Sequence, residues 1–216
     1  MTGKRGFLAS GCFLLAFVVW TSLLFFVDVQ PIGVCGSSVG FATLNSFVHG
    51  LTGTNMLLYI ITDWLGLVPI AVAFFFGVLG LIQWIRRKSF RRVDRDILLL
   101  GGFYVLVMAV YLLFEFVVIN YRPVLINGYP EVSYPSSTTM LVTCVMPTAL
   151  MQWNVRVKRR LLRRIGACVI LLFAAFMVAG RALSGVHWIS DVVGGALFSV
   201  SAVLLYKSAI STFCKK

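Results

Sequence analysis

A chain of 216 residues that is 60% hydrophobic, with a mean hydropathy of +0.95, is not an ordinary soluble domain. Its net charge of +12 would point to nucleic acid in a soluble protein, but no aromatic interleaving or reading motif accompanies the charge, so no nucleic-acid partner is expected. Cys12, Cys144 and Cys168 fall inside apolar stretches and Cys35 and Cys214 outside them, so no disulfide framework is readable. The histidines are His49 and His187, with no Cys/His spacing for zinc, and neither a metal nor a cofactor is expected.

Apolar stretches long enough to cross a bilayer, about 20 residues each, fall at roughly 7–27, 57–84, 97–119, 136–153, 165–182 and 189–209. The first carries a Lys4-Arg5 flank without a small-residue cleavage site and reads as a retained anchor. Between spans one and two, the apolar spacing of Thr43–Gly53 predicts an interfacial amphipathic helix. Asp63, early in span two, reads as a bundle-facing polar contact able to support Arg181 or Arg122. Trp188 and Tyr134 are expected at the outer interface, where amphipathic aromatics sit. The fold class is all-α: an integral-membrane six-helix bundle, a single domain over 1–216, with an outer-leaflet loop and amphipathic helix between spans one and two.

The charge is distributed by side. Lys4 and Arg5 precede span one; Arg86, Arg87, Lys88, Arg91, Arg92 and Arg95 separate spans two and three. Arg156, Lys158, Arg159, Arg160, Arg163 and Arg164 separate spans four and five, and Lys207, Lys215 and Lys216 close the chain. All lie on one side, which the positive-inside rule makes cytoplasmic, together with both termini. These loops also suit anionic lipid head groups. Of the 19 basic residues only Arg122 and Arg181 fall on the opposite side, and they need another explanation.

Two constellations on that opposite side carry chemistry. One is Asn120-Tyr121-Arg122-Pro123 followed by Tyr134-Pro135-Ser136-Ser137-Thr138-Thr139. Ser136, Ser137 and Thr138 open span four, where unpaired backbone N–H groups and a partial positive charge suit a phosphate; Ser136 or Ser137 equally suits plain helix capping. The other is Arg181-Ala-Leu-Ser-Gly-Val-His187-Trp-Ile-Ser-Asp191. His187 and Asp191 are four apart, so on a helix they share a face and can hydrogen-bond. A carboxylate on one imidazole nitrogen fixes the tautomer and frees the other as nucleophile or base, and Arg181 can hold an anion against it. A buried structural pair is the plainer alternative, although ionisable residues at membrane depth are costly and usually functional.

In this order, at successive outer ends of spans three to six, R-P, P-S-S-T and R-x-x-x-x-x-H-x-x-x-D resemble the type-2 phosphatidic acid phosphatase superfamily, membrane enzymes sharing a helical core with the vanadium haloperoxidases. The resemblance implies that Arg122 and Arg181 clamp phosphate oxygens with Ser136 and nearby backbone amides. It implies that His187 attacks phosphorus to give a phosphohistidine, and that Asp191 orients His187.

Three of the departures from the family pattern K-x-x-x-x-x-x-R-P, P-S-G-H and S-R-x-x-x-x-x-H-x-x-x-D stand out. Glu115 stands for the lysine, Thr138 for the histidine that acts as general acid, and Gly180 for the serine. Expelling an alkoxide without a proton donor is slow, whereas a phosphate leaves easily, its second pKa being about 6. A lipid diphosphate such as a polyprenyl diphosphate is therefore the expected substrate, cleaved to the monophosphate at an extracytoplasmic site of the plasma membrane. Two residues are possible substitutes for the acid. Glu115, seven residues or about two helical turns before Arg122 and so pointing the same way, does so if desolvation raises its pKa, or else pairs with Arg122; His49 does so, or else makes a helix-end or head-group contact. A phosphotransferase on the same site and a non-catalytic lipid-phosphate binder or transporter remain the alternatives; the oligomeric state is not readable.

Overall fold

A computed structural model describes residues 3–214; the expected cytoplasmic Lys215 and Lys216 lie outside the described residues. The helices are α1 (Gly3–Leu23), α2 (Ala42–Thr52), α3 (Met56–Leu65), α4 (Leu67–Arg87), α5 (Arg95–Phe116), α6 (Ser137–Arg156), α7 (Arg160–Leu183) and α8 (Ile189–Phe213). α3 and α4 run on across Gly66 as a single long crossing element, so the expected bundle of six is present. The protein is an integral membrane protein.

Among the described residues, five of the six elements are long and apolar enough to span a membrane; α6 is the exception. Its position explains the difference. α6 packs against α7, α8, α4 and α5, and buries Thr139, Cys144, Thr148 and Gln152 inside the bundle. A helix shielded from lipid by its neighbours does not need an apolar surface, and its polar side chains find partners there: Thr148 Oγ1 bonds the Cys144 carbonyl at 2.9 Å, and Gln152 Nε2 donates to Tyr206 Oη at 2.7 Å. α8 is the second central helix. It lies along α1 through small residues: Ser10 and Ser201 exchange hydroxyl-to-carbonyl bonds of 2.9 Å in both directions, and Gly6 leaves room for Ser208. Phe17 of α1 packs on Phe114 and Phe198, with ring centroids 5.8 and 5.6 Å away.

The two ends of the bundle differ in chemistry. At one end the basic loops are tied together by Arg156–Asp96 at 3.0 Å and by Arg95 donating to the Phe213 carbonyl. The other end is roofed by α2, the chain leading into it, and a loop over 120–133. In α2, Leu44, Phe47 and Leu51 form an exposed apolar stripe while Ala42 and Asn45 face inward, the amphipathic pattern expected of that segment. Asn45 holds α8 in place, donating to Ser190 Oγ at 3.0 Å and accepting from the Ser190 backbone N–H at 3.2 Å.

The 120–133 loop doubles back as a hairpin through isolated bridges at Tyr121–Val132 and Ile126–Tyr129. Its turn is Asn127-Gly128, with φ of 52° and 83°, the left-handed pair that a tight two-residue hairpin turn requires. This hairpin puts Arg122 near one end and Ser133 at the other, side by side above α6.

Candidate active site

His187 does not lie on a helix. α8 begins at Ile189 with Trp188 as its flanking residue, so His187 precedes it and the one-face geometry expected for His187 and Asp191 does not apply. Their closest approach, Nδ1 to Oδ2, is 3.8 Å, beyond hydrogen-bonding distance. Asp191 instead acts as the first-turn acid of α8: Oδ2 accepts from the Trp188 backbone N–H at 3.0 Å. Asn120 Nδ2 donates to Oδ1 at 3.2 Å, and Ser133 Oγ donates to Oδ2. The same Ser133 Oγ lies 3.1 Å from His187 Nδ1. A serine hydroxyl thus stands between the acid and the imidazole.

The turn before His187 is fixed by Gly185, at φ +63°; a side chain there would meet the Gly53 carbonyl oxygen at 1.7 Å. His187 is 4% exposed, and its Nε2 has no hydrogen-bond partner among the described residues. Burial holds its pKa below the ordinary 6.5, at about 4, with Arg122 and Arg181 pushing the same way and Asp191 opposing. The ring is therefore neutral at pH 7, with an open lone pair or proton at Nε2.

Arg181, on the last turn of α7, is 1% exposed. Its Nη2 donates to Asp63 Oδ1 at 2.7 Å and Thr138 Oγ1 at 2.6 Å. This realises the expected support of Arg181 by Asp63. Arg122 lies not at the end of a helix but in the hairpin, where its Nη2 meets Glu131 Oε2 at 3.1 Å. Both guanidiniums lie over Tyr59 of α3, with Cζ atoms 5.4 Å (Arg122) and 4.9 Å (Arg181) from the ring centroid. In each, Nε and Nη1 are buried without a partner among the described residues. A buried donor left unpaired costs about 1–3 kcal/mol, so four of them on two cations beside an open imidazole nitrogen form a ready receptor for an anion.

The remaining expected residues divide. Ser136 is fully buried; its Oγ accepts from Thr139 Oγ1 at 3.0 Å and makes no cap bond to α6, so the plain capping role is not taken up. Ser137 and Thr138 line a groove of about 350 Å³ between α4, α5 and α6, together with Asp63 at the same end and Ala73, Val107 and Val145 further along. His49 lies on α2, its ring centroid 5.7 Å from that of Trp188, with Nδ1 unpartnered among the described residues.

Glu115 is exposed near the end of α5. It lines a cavity of about 20 Å³ with Ser133 and Ser137 and does not pair with Arg122. α5 stops at Phe116, which ends the helical phase on which that pairing was expected. Trp188 and Tyr134 are buried rather than interfacial: Trp188 Nε1 donates to the Tyr121 carbonyl at 2.8 Å, and Tyr134 Oη is 2.6 Å from Thr21 Oγ1.

The sequence alone singles out none of Ser133, Tyr59 and Glu131, and gives Asn120 no role beyond flanking Arg122. Only the hairpin turn Asn127-Gly128 signalled that residues either side of it meet, which would have brought Glu131 and Ser133 towards Arg122. Gly180, in place of the family serine, has a packing reason: a Cβ there would lie 2.6 Å from Thr62 Cγ2 on α3. The close approach of α3 to α7 is what carries Tyr59 and Asp63 to Arg181.

Residues 115–213 match the model of the PAP2 superfamily. No curated protein matches the chain. Among solved structures it is similar to the first transmembrane PAP2-type phosphatidylglycerolphosphate phosphatase from Bacillus subtilis, at 16% identity, covering 96% of this chain and 97% of that one with a TM-score of 0.55. The matched region, a little under half of the chain, begins at Glu115 and contains all three motifs and both central helices, and the full-length likeness extends the same helical layout to α1–α4.

Proposed function

We propose that this protein is a membrane lipid phosphatase that cleaves a lipid diphosphate, a polyprenyl diphosphate by preference, to the monophosphate through a phosphohistidine on His187. The observation that carries this reading is the set of unpartnered buried atoms: Nε and Nη1 of Arg122 and of Arg181, and Nε2 of His187. The two guanidiniums grip the phosphoryl oxygens, Nε2 attacks phosphorus, and the negative charge that builds on the equatorial oxygens is met by cations already in place. Asp191 stabilises the imidazolium so formed. Thr138 bonds Arg181 at the start of α6, and in this reading Ser136, Ser137 and the first-turn N–H groups of that helix extend the anion site.

The preference for a diphosphate follows from the leaving group. Thr138, in the position of the family's acid, is engaged with Arg181 and has no acidic proton to give. The groove that starts at Asp63, Ser137 and Thr138 is apolar along α4 and α5, which suits a hydrocarbon chain behind the head group. The site lies at the end of the bundle opposite the Arg/Lys loops, which by the positive-inside rule supports an extracytoplasmic site with both termini cytoplasmic. A plasma-membrane location, by the family resemblance, and a single domain over 1–216 belong to the same reading. The similar Bacillus subtilis protein is named as a phosphatidylglycerolphosphate phosphatase, which supports a phosphorylated lipid as substrate class.

The test is phosphate release by the purified protein over monophosphate and diphosphate lipids, with His187→Ala as the blank and acid-quenched trapping of the phosphoenzyme. Release from polyprenyl diphosphate with label on His187 is expected. Equal rates on phosphatidic acid would remove the diphosphate preference, and binding without release in either class would make the protein a lipid-phosphate binder.

A further inference from the structure

We propose that Ser133 is a positioning residue: it transmits the orienting effect of Asp191 to His187, which the carboxylate does not reach by itself. Asp191 Oδ2 and His187 Nδ1 are 3.8 Å apart, too far for a hydrogen bond, and Ser133 Oγ contacts both. A hydroxyl has one proton, and here it is directed to Asp191 Oδ2. Towards His187 the oxygen must then accept, which requires the ring proton on Nδ1 and leaves the lone pair on Nε2. Ser133 is 2% exposed and held by backbone pairing at the foot of the hairpin, its N–H donating to the Asn120 carbonyl at 2.9 Å. Asn120 also donates to the other oxygen of Asp191, so one hairpin foot fixes both the carboxylate and the bridge.

The inference rests on the reading of His187 as nucleophile for its kinetic consequence, but its effect on the tautomer stands apart from any substrate. In the attack step the Nε2–P bond forms while the bond from phosphorus to the leaving phosphate oxygen breaks, and that oxygen takes the electron pair. The Nδ1 proton stays on the ring. The resulting positive charge is met by Ser133 Oγ, whose own proton remains polarised towards Asp191. When water displaces the histidine, the N–P pair returns to Nε2, the proton lost by water leaves with the phosphate product or solvent, and the resting tautomer is restored.

The experiment uses the full chain labelled with ¹⁵N-histidine, the His187 signals being assigned by their loss in His187→Ala. In the wild type the Nδ1–H tautomer is expected. Ser133→Ala should shift His187 towards the Nε2–H form and slow phosphoenzyme formation by roughly 10- to 100-fold, the effect of losing one hydrogen bond to a charged group, with KM little changed. Ser133→Thr keeps the hydroxyl and should keep both the tautomer and the rate.

Ser133→Cys, similar in size with a poor donor, serves if the alanine variant does not fold, and should follow alanine. An unaltered tautomer and rate in Ser133→Ala or Ser133→Cys overturns the proposal. A tautomer that shifts on Ser133→Ala, in a protein whose wild type hydrolyses no lipid phosphate, leaves the relay standing and removes the phosphatase reading; hydrolysis with an indifferent Ser133 does the reverse.

Discussion

Thr138 Oγ1 accepts a 2.6 Å hydrogen bond from Arg181 Nη2. The position at which the family carries its general acid has become an anchor for one of the two cations. Exchanging that anchor for an imidazole trades one function for the other. In Thr138→His, hydrolysis of polyprenyl diphosphate should fall because Arg181 loses one of its two partners and keeps only Asp63. The ratio of monophosphate to diphosphate turnover should rise by roughly tenfold or more, since a positioned acid contributes at least that much to expelling an alkoxide. A substrate panel on the one variant reads both effects; an unchanged ratio would mean that the missing proton donor does not set the preference.

The buried imidazole gives the fold a pH dependence with a definite sign. His187 has its pKa held below 6.5, at about 4, by burial first and by the two guanidiniums second. Between those values the unfolded chain takes up a proton at this position that the folded chain refuses. The stability from keeping the ring neutral is whole above pH 6.5 and is lost as pH falls towards 4. Thermal unfolding in detergent should therefore show a decline from pH 7 to pH 4.5 that His187→Gln flattens. Asp28, which accepts from the Thr43 backbone N–H, and Asp94, bonded to Arg87, have carboxyls held below the usual range, so their contributions fall away only at still lower pH.

Gly180 and Thr62 form a packing pair in which the family residue does not fit. Restoring the serine, Gly180→Ser, places a Cβ 2.6 Å from Thr62 Cγ2 and should cost about 1–3 kcal/mol, the usual penalty of overpacking. Thr62→Ser removes that methyl and keeps the hydroxyl, which bonds the Leu58 carbonyl at 2.9 Å. Gly180→Ser with Thr62→Ser should then melt nearer to wild type than Gly180→Ser alone. Strict additivity of the two changes would deny the contact.

The bundle was legible because lipid imposes long apolar runs, and basic residues marked which loops share an end. α6 kept its place in the pattern although its composition is the least apolar, because Pro135 and the polar cluster before it and the Arg156–Arg164 run after it bracket the span. The motif residues were legible by type and order but not by contact. Helical phase was used to connect His187 with Asp191 and Glu115 with Arg122. In both cases a helix boundary falls between the two residues, the start of α8 at Ile189 and the end of α5 at Phe116, so no one helix carries both members of either pair. What joins the site is the hairpin, and its contacts from Ser133 and Asn120 to Asp191 span 58 and 71 residues of sequence, which no local periodicity encodes.

The groove beside the clamp predicts a dependence on chain length. Ala73 lines it and also a second cavity of about 500 Å³ further along α4 and α5, so it sits where the two meet. Ala73→Trp fills the junction without touching Arg122, Arg181 or His187. KM for a long polyprenyl diphosphate should rise while turnover of a short-chain diphosphate is retained, because only the long chain reaches that depth. A uniform loss on both substrates would argue that the chain lies elsewhere.

His49 separates two accounts of the missing acid. Its ring rests against Trp188 and its Nδ1 is unpartnered, so it has a nitrogen available near the site. A departing phosphate needs no proton from it, however, because phosphate is already a stable anion at neutral pH. His49→Ala should therefore leave polyprenyl diphosphate hydrolysis near the wild-type rate and lower only the melting temperature, through the lost contact with Trp188. Collapse of diphosphate turnover in a folded His49→Ala protein would make His49 the proton donor, and the substrate preference would then have to rest on the groove alone.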